Sequence, residues 1–344
     1  MSQPHKPWQN RASINQLRQR AQLIGLIRQF FNERQVMEVE TPLLSQAAVS
    51  DPQIESIATH DEPCADESRS NELANTGKRW LRTSPEYFHK RLLANGSGDI
   101  YELGKVFRKG EAGRWHNPEF TMLEWYRVGW HYHQLMDEVE ALVRRLLAVN
   151  HELNDNQQGK SSWPCRRFTY RELHQELLDL DPFTLNREGW IAQATKHGLS
   201  AAHEENTAVL QDFVYGVAMR QQLSPGQLTF VYDFPLNQAA LARIRHDTPP
   251  VAERFELFMG QIEVANGYQE LTNAEEQAQR FNNDLELRKQ FQQNTAPIDQ
   301  HLLAALTAGL PECSGVAVGI DRVIAQIFGH EQLNAVLSFD WGQS

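Results

Sequence analysis

Between Tyr101 and Tyr126 the chain reads YELGKVFRKGEAGRWHNPEFTMLEWY: a strand, a polar loop and a second strand. The loop gathers Arg108, Lys109, Glu111, Arg114, His116 and Asn117, groups suited to a nucleotide. Arg108 closes the incoming strand, where a planar guanidinium offers a fork of donors that matches phosphate oxygens. Period-two spacing on the outgoing strand puts Phe120, Met122, Glu124 and Tyr126 on one face, and Thr121, Leu123 and Trp125 on the other. A carboxylate beside a tyrosine suits an amine. Phosphate at one end and amine at the other is the pattern of amino-acid activation, although spacing alone also allows a solvated surface hairpin.

Two further constellations add to it. RFELFMGQIEVANGYQEL (254–271) reads as a hairpin turning at Gly260-Gln261. A two-residue loop sets Met259 opposite Ile262, Phe258 opposite Glu263 and Glu256 opposite Ala265, so Glu256 and Glu263 become diagonal neighbours on one face. Such a pair suits a hard cation like Mg²⁺, which takes one or two carboxylates plus substrate phosphates; a solvated face gives the same spacing. SGVAVGIDRVIAQIFG (314–329) is a small-residue strand entering a helix. There Gly319 permits close approach of a flat base, and Arg322 can stack on it or bind a phosphate. No G-x-x-x-x-G-K-[ST] and no G-x-G-x-x-G occurs, which excludes P-loop and Rossmann readings.

The elements that must position these groups follow from periodicity. Residues 1–12 are polar and read as a flexible N-terminus. Ser13 opens a helix with Gln16 placed for a capping box, and Ile14, Leu17, Ala21, Ile24, Ile27 and Phe31 form its apolar stripe. VMEVETPLL (36–44) reads as a strand stopped by Pro42. The acidic, Ser/Asn-rich stretch 60–78 reads as an exposed loop, and Arg82–Leu93 as a turn running into a helix. An amphipathic helix over 133–149 carries Leu135, Val139, Leu142 and Leu146. A polar connector spans 154–162, residues 165–225 read as helical, Thr229–Pro235 as a strand, and Thr272 with Glu275 as the cap of a later helix. No boundary between separately folding parts is evident, so residues 13–344 are expected to form one domain.

Composition bounds the rest. A chain of 344 residues with 41% hydrophobic content can bury a sizeable core. Its 44 acidic against 33 basic residues, net −11, give no basic stripe for nucleic acid. Cys64, Cys165 and Cys313 are far apart and lack a CxxC pair, which implies neither a disulfide framework nor a zinc site and fits a reducing compartment. No secretory leader opens the chain, and no apolar run approaches the ~18 residues that span a membrane. A cytoplasmic protein is expected.

The order FR-x-x-E followed by R-x-H-N-P-E-F-T-M-L-E-W-Y resembles the second signature motif of class II aminoacyl-tRNA synthetases, and is closest to the lysyl branch. The helix and proline-terminated strand of 13–44 resemble the first motif, and G-x-A-x-G-x-D-R (Gly315–Arg322) the third. The likeness runs from residue 13 to 341. It implies an α+β fold, an antiparallel sheet flanked by helices, and a homodimer built on the first motif. It implies ATP as substrate, with Arg108 and Arg322 catalytic and Glu256 and Glu263 holding Mg²⁺. The loop residues Lys109, Gly110, Glu111 and Asn117 would complete the nucleotide site with Glu263, Val264 and Gly319. Glu86, in the turn Ser84-Pro85-Glu86, would meet an α- or β-amino group. Glu124, Tyr126 and Glu270 would receive a side-chain ammonium, Asn266 would orient the carboxylate, and Ala317 would shape the pocket.

Lysyl-tRNA synthetases carry an N-terminal β-barrel that reads the anticodon, and the twelve residues ahead of the first motif cannot form one. The chain therefore resembles the stand-alone, protein-modifying paralogues. That implies activation of (R)-β-lysine as an adenylate and its transfer to a lysine ε-amino group of elongation factor P, with neither tRNA nor membrane as partner. Ala317 stands in G-V-A-V-G where the tRNA-charging enzymes resemble G-L-G-I-G; one methyl of this kind shifts selectivity by ~1–3 kcal/mol. Ser84 stands where those enzymes usually show a small apolar residue. Lys109-Gly110 departs from the family's Asn-Glu and leaves Glu111 as the nearest adenine-side group. The alternatives are a truncated tRNA-charging enzyme and a catalytically silent, lysine-binding regulatory paralogue.

Overall fold

The computed structural model describes residues 8–60, 78–153, 163–200 and 206–344. Residues 1–7, most of the expected loop 60–78 including Cys64, and the connector 154–162 lie outside the described residues. Of the stretch expected to be flexible, residues 8–12 are described: Ala12 is buried and Arg11 pairs with Asp340 at 3.0 Å.

Helix α1 (Ile14–Asn32) opens with the expected capping box, Ser13 and Gln16 each bonding the other's backbone N–H. The single strand expected over 36–44 is instead two short pieces. Strand β1 (Met37–Glu38) ends early, and beyond Pro42, which has no N–H to give a ladder, β2 (Leu44–Ser45) joins β3 (Ala58–His60) and β4 (Lys78–Leu81) in a small separate sheet. Helix α2 (Glu86–Ala94) follows the Ser84-Pro85 turn. Strands β5 (Ile100–Phe107) and β6 (Glu119–Val128) are the expected antiparallel pair, with Glu102 opposite Glu124. Helix α3 (Tyr132–Leu153) buries Leu135, Val139, Leu142 and Leu146.

The run expected to be helical from 165 begins instead with a strand, β7 (Cys165–Thr169), which pairs at an edge of the main sheet and buries Phe168. Helices α4 (Tyr170–Leu178), α5 (Arg187–Lys196) and α6 (Thr207–Phe213) follow. The last passes into a π-helical turn, Val214–Met219, and a 3₁₀ turn, Arg220–Gln222. Then come β8 (Leu228–Phe234), β9 (Ile244–Arg245), β10 (Val251–Met259) and β11 (Ile262–Gln269). Helix α7 (Ala274–Gln290) is capped by Asn273 rather than Thr272: the Asn273 side-chain Oδ1 accepts from the Glu276 N–H at 2.9 Å, and Asn is the stronger N-cap. Helix α8 (Gln300–Gly309), β12 (Cys313–Gly319) and α9 (Ile320–Ile327) complete the order.

Among the described residues nine strands form one sheet, ordered β1-β5-β6-β12-β11-β10-β8-β7 with β9 on β10. Its central ladders are antiparallel, and the edge pairs β1–β5 and β7–β8 are parallel. One face carries Leu123, Trp125, Phe255, Leu257, Val316 and Val318 into a core with α1, α3 and α9. Each such side chain contributes roughly 1.5–3 kcal/mol by leaving water. With that face sealed, the opposite face of β6, β12, β11 and β10 is left as the floor of a cleft. None of the described helices is long and apolar enough to cross a membrane.

Candidate active site

The cleft has a volume of about 1130 Å³ and is walled by α2, the loop 49–54, the segment 206–220 and α7. That is room for a nucleotide together with an amino acid. Its floor follows the expected alternation on β6, where Phe120, Met122, Glu124 and Tyr126 face the cleft and Leu123 and Trp125 the core. On the neighbouring hairpin the expected register is off by one. Phe258 does face Glu263, but Glu256 faces Asn266 rather than Ala265, because the ladder shifts between Leu257 and Phe258. This bulge puts an extra residue on β11, so Glu263 and Asn266, three apart, both reach the cleft while Val264 and Ala265 pack into the core at its border.

At one end the cleft is cationic. Arg108 sits 3.7 Å from Glu111 and over the Phe120 ring, and its Nε is buried without a partner. Arg322 donates to the backbone carbonyls of Trp115 at 3.1 Å and Glu263 at 3.0 Å. Burial lowers its pKa, and the neighbouring Arg220 and Arg108 charges add to that against the pull of Glu263. His116 is lowered in the same way, by burial and then by Arg322. The Glu263 carboxylate has no hydrogen bond or ion pair among the described residues, and so fits a cation as it stands. Glu256 is engaged: Tyr215 donates to it at 2.9 Å and Arg254 pairs with its other oxygen. Burial pushes its pKa up against the Arg254 charge. It fits a cation only in exchange for Arg254.

Three residues expected at the nucleotide stand differently. Lys109 and Gly110 lie off the cleft wall: Lys109 is 56% exposed, its Nζ 3.6 Å from Glu55, and Gly110 takes a φ of +80° that its turn requires. Asn117 borders the cleft, but its amide donates to the Glu119 carbonyl at 2.6 Å and accepts from the Trp341 N–H at 2.9 Å. That side chain holds the loop against the C-terminal segment. Gly319 is not demanded by packing, since an added Cβ would meet only Arg322 Cδ at 3.8 Å and the Val264 carbonyl at 4.0 Å.

At the other end the cleft is lined by carboxylates. Ser84 donates to Glu124 at 2.6 Å and accepts from the Glu86 N–H at 3.0 Å, joining the Ser84-Pro85-Glu86 turn to β6. Tyr126 lies 3.5 Å from Glu124. Burial, reinforced by the Glu86 charge, pushes the Glu124 carboxyl up to about 8. Ala317 lies in register between Asn266 on β11 and Glu124 on β6, so its methyl stands between the proposed carboxylate and ammonium contacts.

Sequence reasoning missed the lysine at the centre of this end. Lys90 is 1% exposed, with Nζ 2.6 Å from Glu86 and 2.7 Å from Glu270. Burial pulls its pKa down, but the Glu270 and Glu86 carboxylates more than offset that and raise it, which holds the lysine charged. A second layer was missed too. Glu102 accepts from Thr41 at 2.7 Å, His89 at 3.0 Å and Arg82 at 2.7 Å, and these partners overcome burial to bring it down to about 2. Gly315 is essential to the packing: a Cβ there would lie 2.3 Å from the Tyr126 ring and 2.5 Å from Glu270. Arg220, on the cleft wall, was also missed. The Glu86–Lys90 spacing and the glycine in the third motif were visible signals; Arg220 had none.

The family described as tRNA synthetases class II (D, K and N) matches residues 2–341. The chain is 44% identical over 334 residues to the elongation factor P–(R)-β-lysine ligase of Vibrio parahaemolyticus, covering 96% of this chain and 97% of that protein. It is 44% identical over 336 residues to the protein of the same name from Vibrio cholerae, with the same coverage. Against that of Haemophilus influenzae it is 41% identical over 333 residues, again 96% and 97%.

Proposed function

This chain belongs to the class II aminoacyl-tRNA synthetase family, and from that premise we propose that it spends ATP to activate (R)-β-lysine and passes it to a lysine ε-amino group of elongation factor P. The observation that carries the reading is the likeness to ligases of that name along 96% of the chain. A single cleft with arginines at one end and carboxylates at the other agrees with it. The substrate carboxylate attacks the α-phosphate in line, and pyrophosphate departs with the electron pair. Arg108 and Arg322 stabilise the charge that develops there. The acceptor amine then attacks the activated carbonyl and releases AMP, so no protein nucleophile is needed.

Glu263, joined by Glu256 where the cation displaces Arg254, would hold Mg²⁺, which offsets phosphate charge when bound. Glu124, Tyr126 and Glu270 receive the side-chain ammonium, and Ser84 orients Glu124. Glu86 meets the second amine, and Asn266 the carboxylate. Residues 13–344 act as one catalytic unit in the cytoplasm. Two chains pair through the first-motif segment, where Met37, Leu43 and Leu44 stay 48%, 44% and 49% exposed. ATP–pyrophosphate exchange with (R)-β-lysine against α-lysine, followed by intact mass of elongation factor P, tests the reading. The expected result is preference for the β isomer and a mass gain on the factor. Charging of tRNA in place of the factor would overturn it.

A further inference from the structure

Arg220 belongs to no motif, yet it sits on the cleft wall in the 3₁₀ turn that follows the π-helical turn Val214–Met219. π-helical turns inside helices recur at functional sites, and this one is tied to the site, since its Tyr215 donates to Glu256 at 2.9 Å. The other arginines of the wall are engaged. Arg254 pairs with Glu256 and donates to Asn266 at 3.1 Å, and Arg280 holds Glu276 and the Ala240 and Ala242 carbonyls. Arg322 takes two carbonyls, and Arg108 faces Glu111. The Arg220 side chain has no hydrogen bond or ion pair among the described residues. Its guanidinium lies over the Phe258 ring, 5.4 Å from the centroid.

Phe258 locates that charge. It is the direct cross-strand partner of Glu263, the residue whose carbonyl accepts from Arg322. Arg220 and Arg322 therefore both stand at the Phe258–Glu263 pair of one hairpin tip, near enough for each charge to act on the other. A half-buried guanidinium that water still reaches, held in no ion pair, drawn only from a distance by Glu256 and set against the Arg322 charge, is left free to take an anion. A polyanion bound between the two cations neutralises both.

We propose that Arg220 is a further catalytic residue, gripping the β- and γ-phosphates of ATP and the pyrophosphate they become. As the substrate carboxylate oxygen bonds to the α-phosphorus, the bond from that phosphorus to the bridging oxygen breaks. The electron pair leaves on the β-phosphate, where Arg220 meets the new charge. This rests on the ATP-dependent reading above. AMP and the adenylate lack these phosphates, so Arg220 has no part in transfer to the acceptor.

The test compares the full-length wild type with Arg220→Met and Arg220→Lys. It measures ATP–pyrophosphate exchange with (R)-β-lysine, equilibrium binding of ATP, AMP and pyrophosphate, and thermal unfolding. Arg220→Met should raise the KM for ATP and pyrophosphate tenfold or more. AMP affinity, the KM for (R)-β-lysine and the melting temperature should stay unchanged, and Arg220→Lys should recover part of the loss. Equal loss of AMP and ATP binding, or a wild-type KM for pyrophosphate in Arg220→Met, overturns the proposal while leaving the ligase reading intact. Absence of exchange by the wild type removes both.

Discussion

The two ends of the cleft solve opposite electrostatic problems in different ways. At the amine end buried carboxylates are balanced inside the chain: Glu102 by Arg82, with a hydrogen bond to His89, and Glu86 and Glu270 by Lys90. Glu124 is balanced by a proton of its own. At the phosphate end Arg108, Arg220 and Arg322 lean on aromatic faces, backbone carbonyls and one carboxylate 3.7 Å away. A pocket for a small cation must be dry, so its charges need internal partners before any ligand arrives. A site for a polyanion can stay cationic while empty, because its arginines keep contact with water. The amine end is therefore bound up with folding, and the phosphate end with rate.

The largest expected effect sets those two apart. Lys90→Met leaves Glu86 and Glu270 facing each other without a cation, and breaking a buried pair this way costs about 3–5 kcal/mol. Denaturant unfolding should show that loss. Arg322→Ala should instead lower ATP–pyrophosphate exchange by about 10²–10³ with little change in the unfolding midpoint. A variant at Arg322 that unfolds as readily as one at Lys90 would erase the distinction.

Two glycines of one strand sharpen the contrast at smaller scale. Gly315→Ala drives a methyl into the Tyr126 ring and Glu270, at 2.3 and 2.5 Å. Overpacking of this kind costs about 1–3 kcal/mol, and the displaced Glu270 should raise the KM for (R)-β-lysine. Gly319→Ala meets only ordinary contacts at 3.8 and 4.0 Å. It should leave stability alone and raise the KM for ATP through crowding of the base. Equal destabilisation by both changes would show that the strand, not the ends of the cleft, sets the requirement.

The same division governs what the sequence could convey. The faces of β6 and the cap of α1 were legible because they depend on local period and on one side chain meeting one backbone group. Glu256 and Glu263 were rightly placed on one cleft, yet their register was misjudged. A bulge between Leu257 and Phe258 is set by packing on both sides of the sheet, which no hairpin rule contains. Lys90 was illegible for a different reason. A lysine one turn after Glu86 reads as a surface i, i+4 pair, and only the approach of Glu270, the residue that follows β11, makes it a buried counter-charge. Asn117 looked like a ligand-binding amide until the C-terminal segment supplied the N–H it accepts from. The rim of Lys109 and Gly110 departs from the wall because Lys109 is drawn toward Glu55.

The subtlest expectation concerns the proton on Glu124. With its carboxyl raised to about 8 by burial and the Glu86 charge, the empty site holds Glu124 neutral at ordinary pH. A neutral carboxyl cannot offset an ammonium, so binding the substrate cation there must release that proton. The KM for (R)-β-lysine should then fall as pH rises, by up to about tenfold per unit, and level off above about 8. Stability has the opposite sign. The folded protein holds this proton more tightly than the unfolded chain, so its contribution is full below the ordinary value of 4.5 and is lost as pH climbs to about 8. Glu124→Gln should flatten the KM profile and weaken binding above that point, and steady-state kinetics across the range read both effects. The variant's profile also separates this titration from that of the substrate's own amines, which both proteins share. A profile as steep in Glu124→Gln as in the wild type would assign the proton elsewhere, and the amine end would then be balanced in the empty state by Lys90 and Arg82 alone.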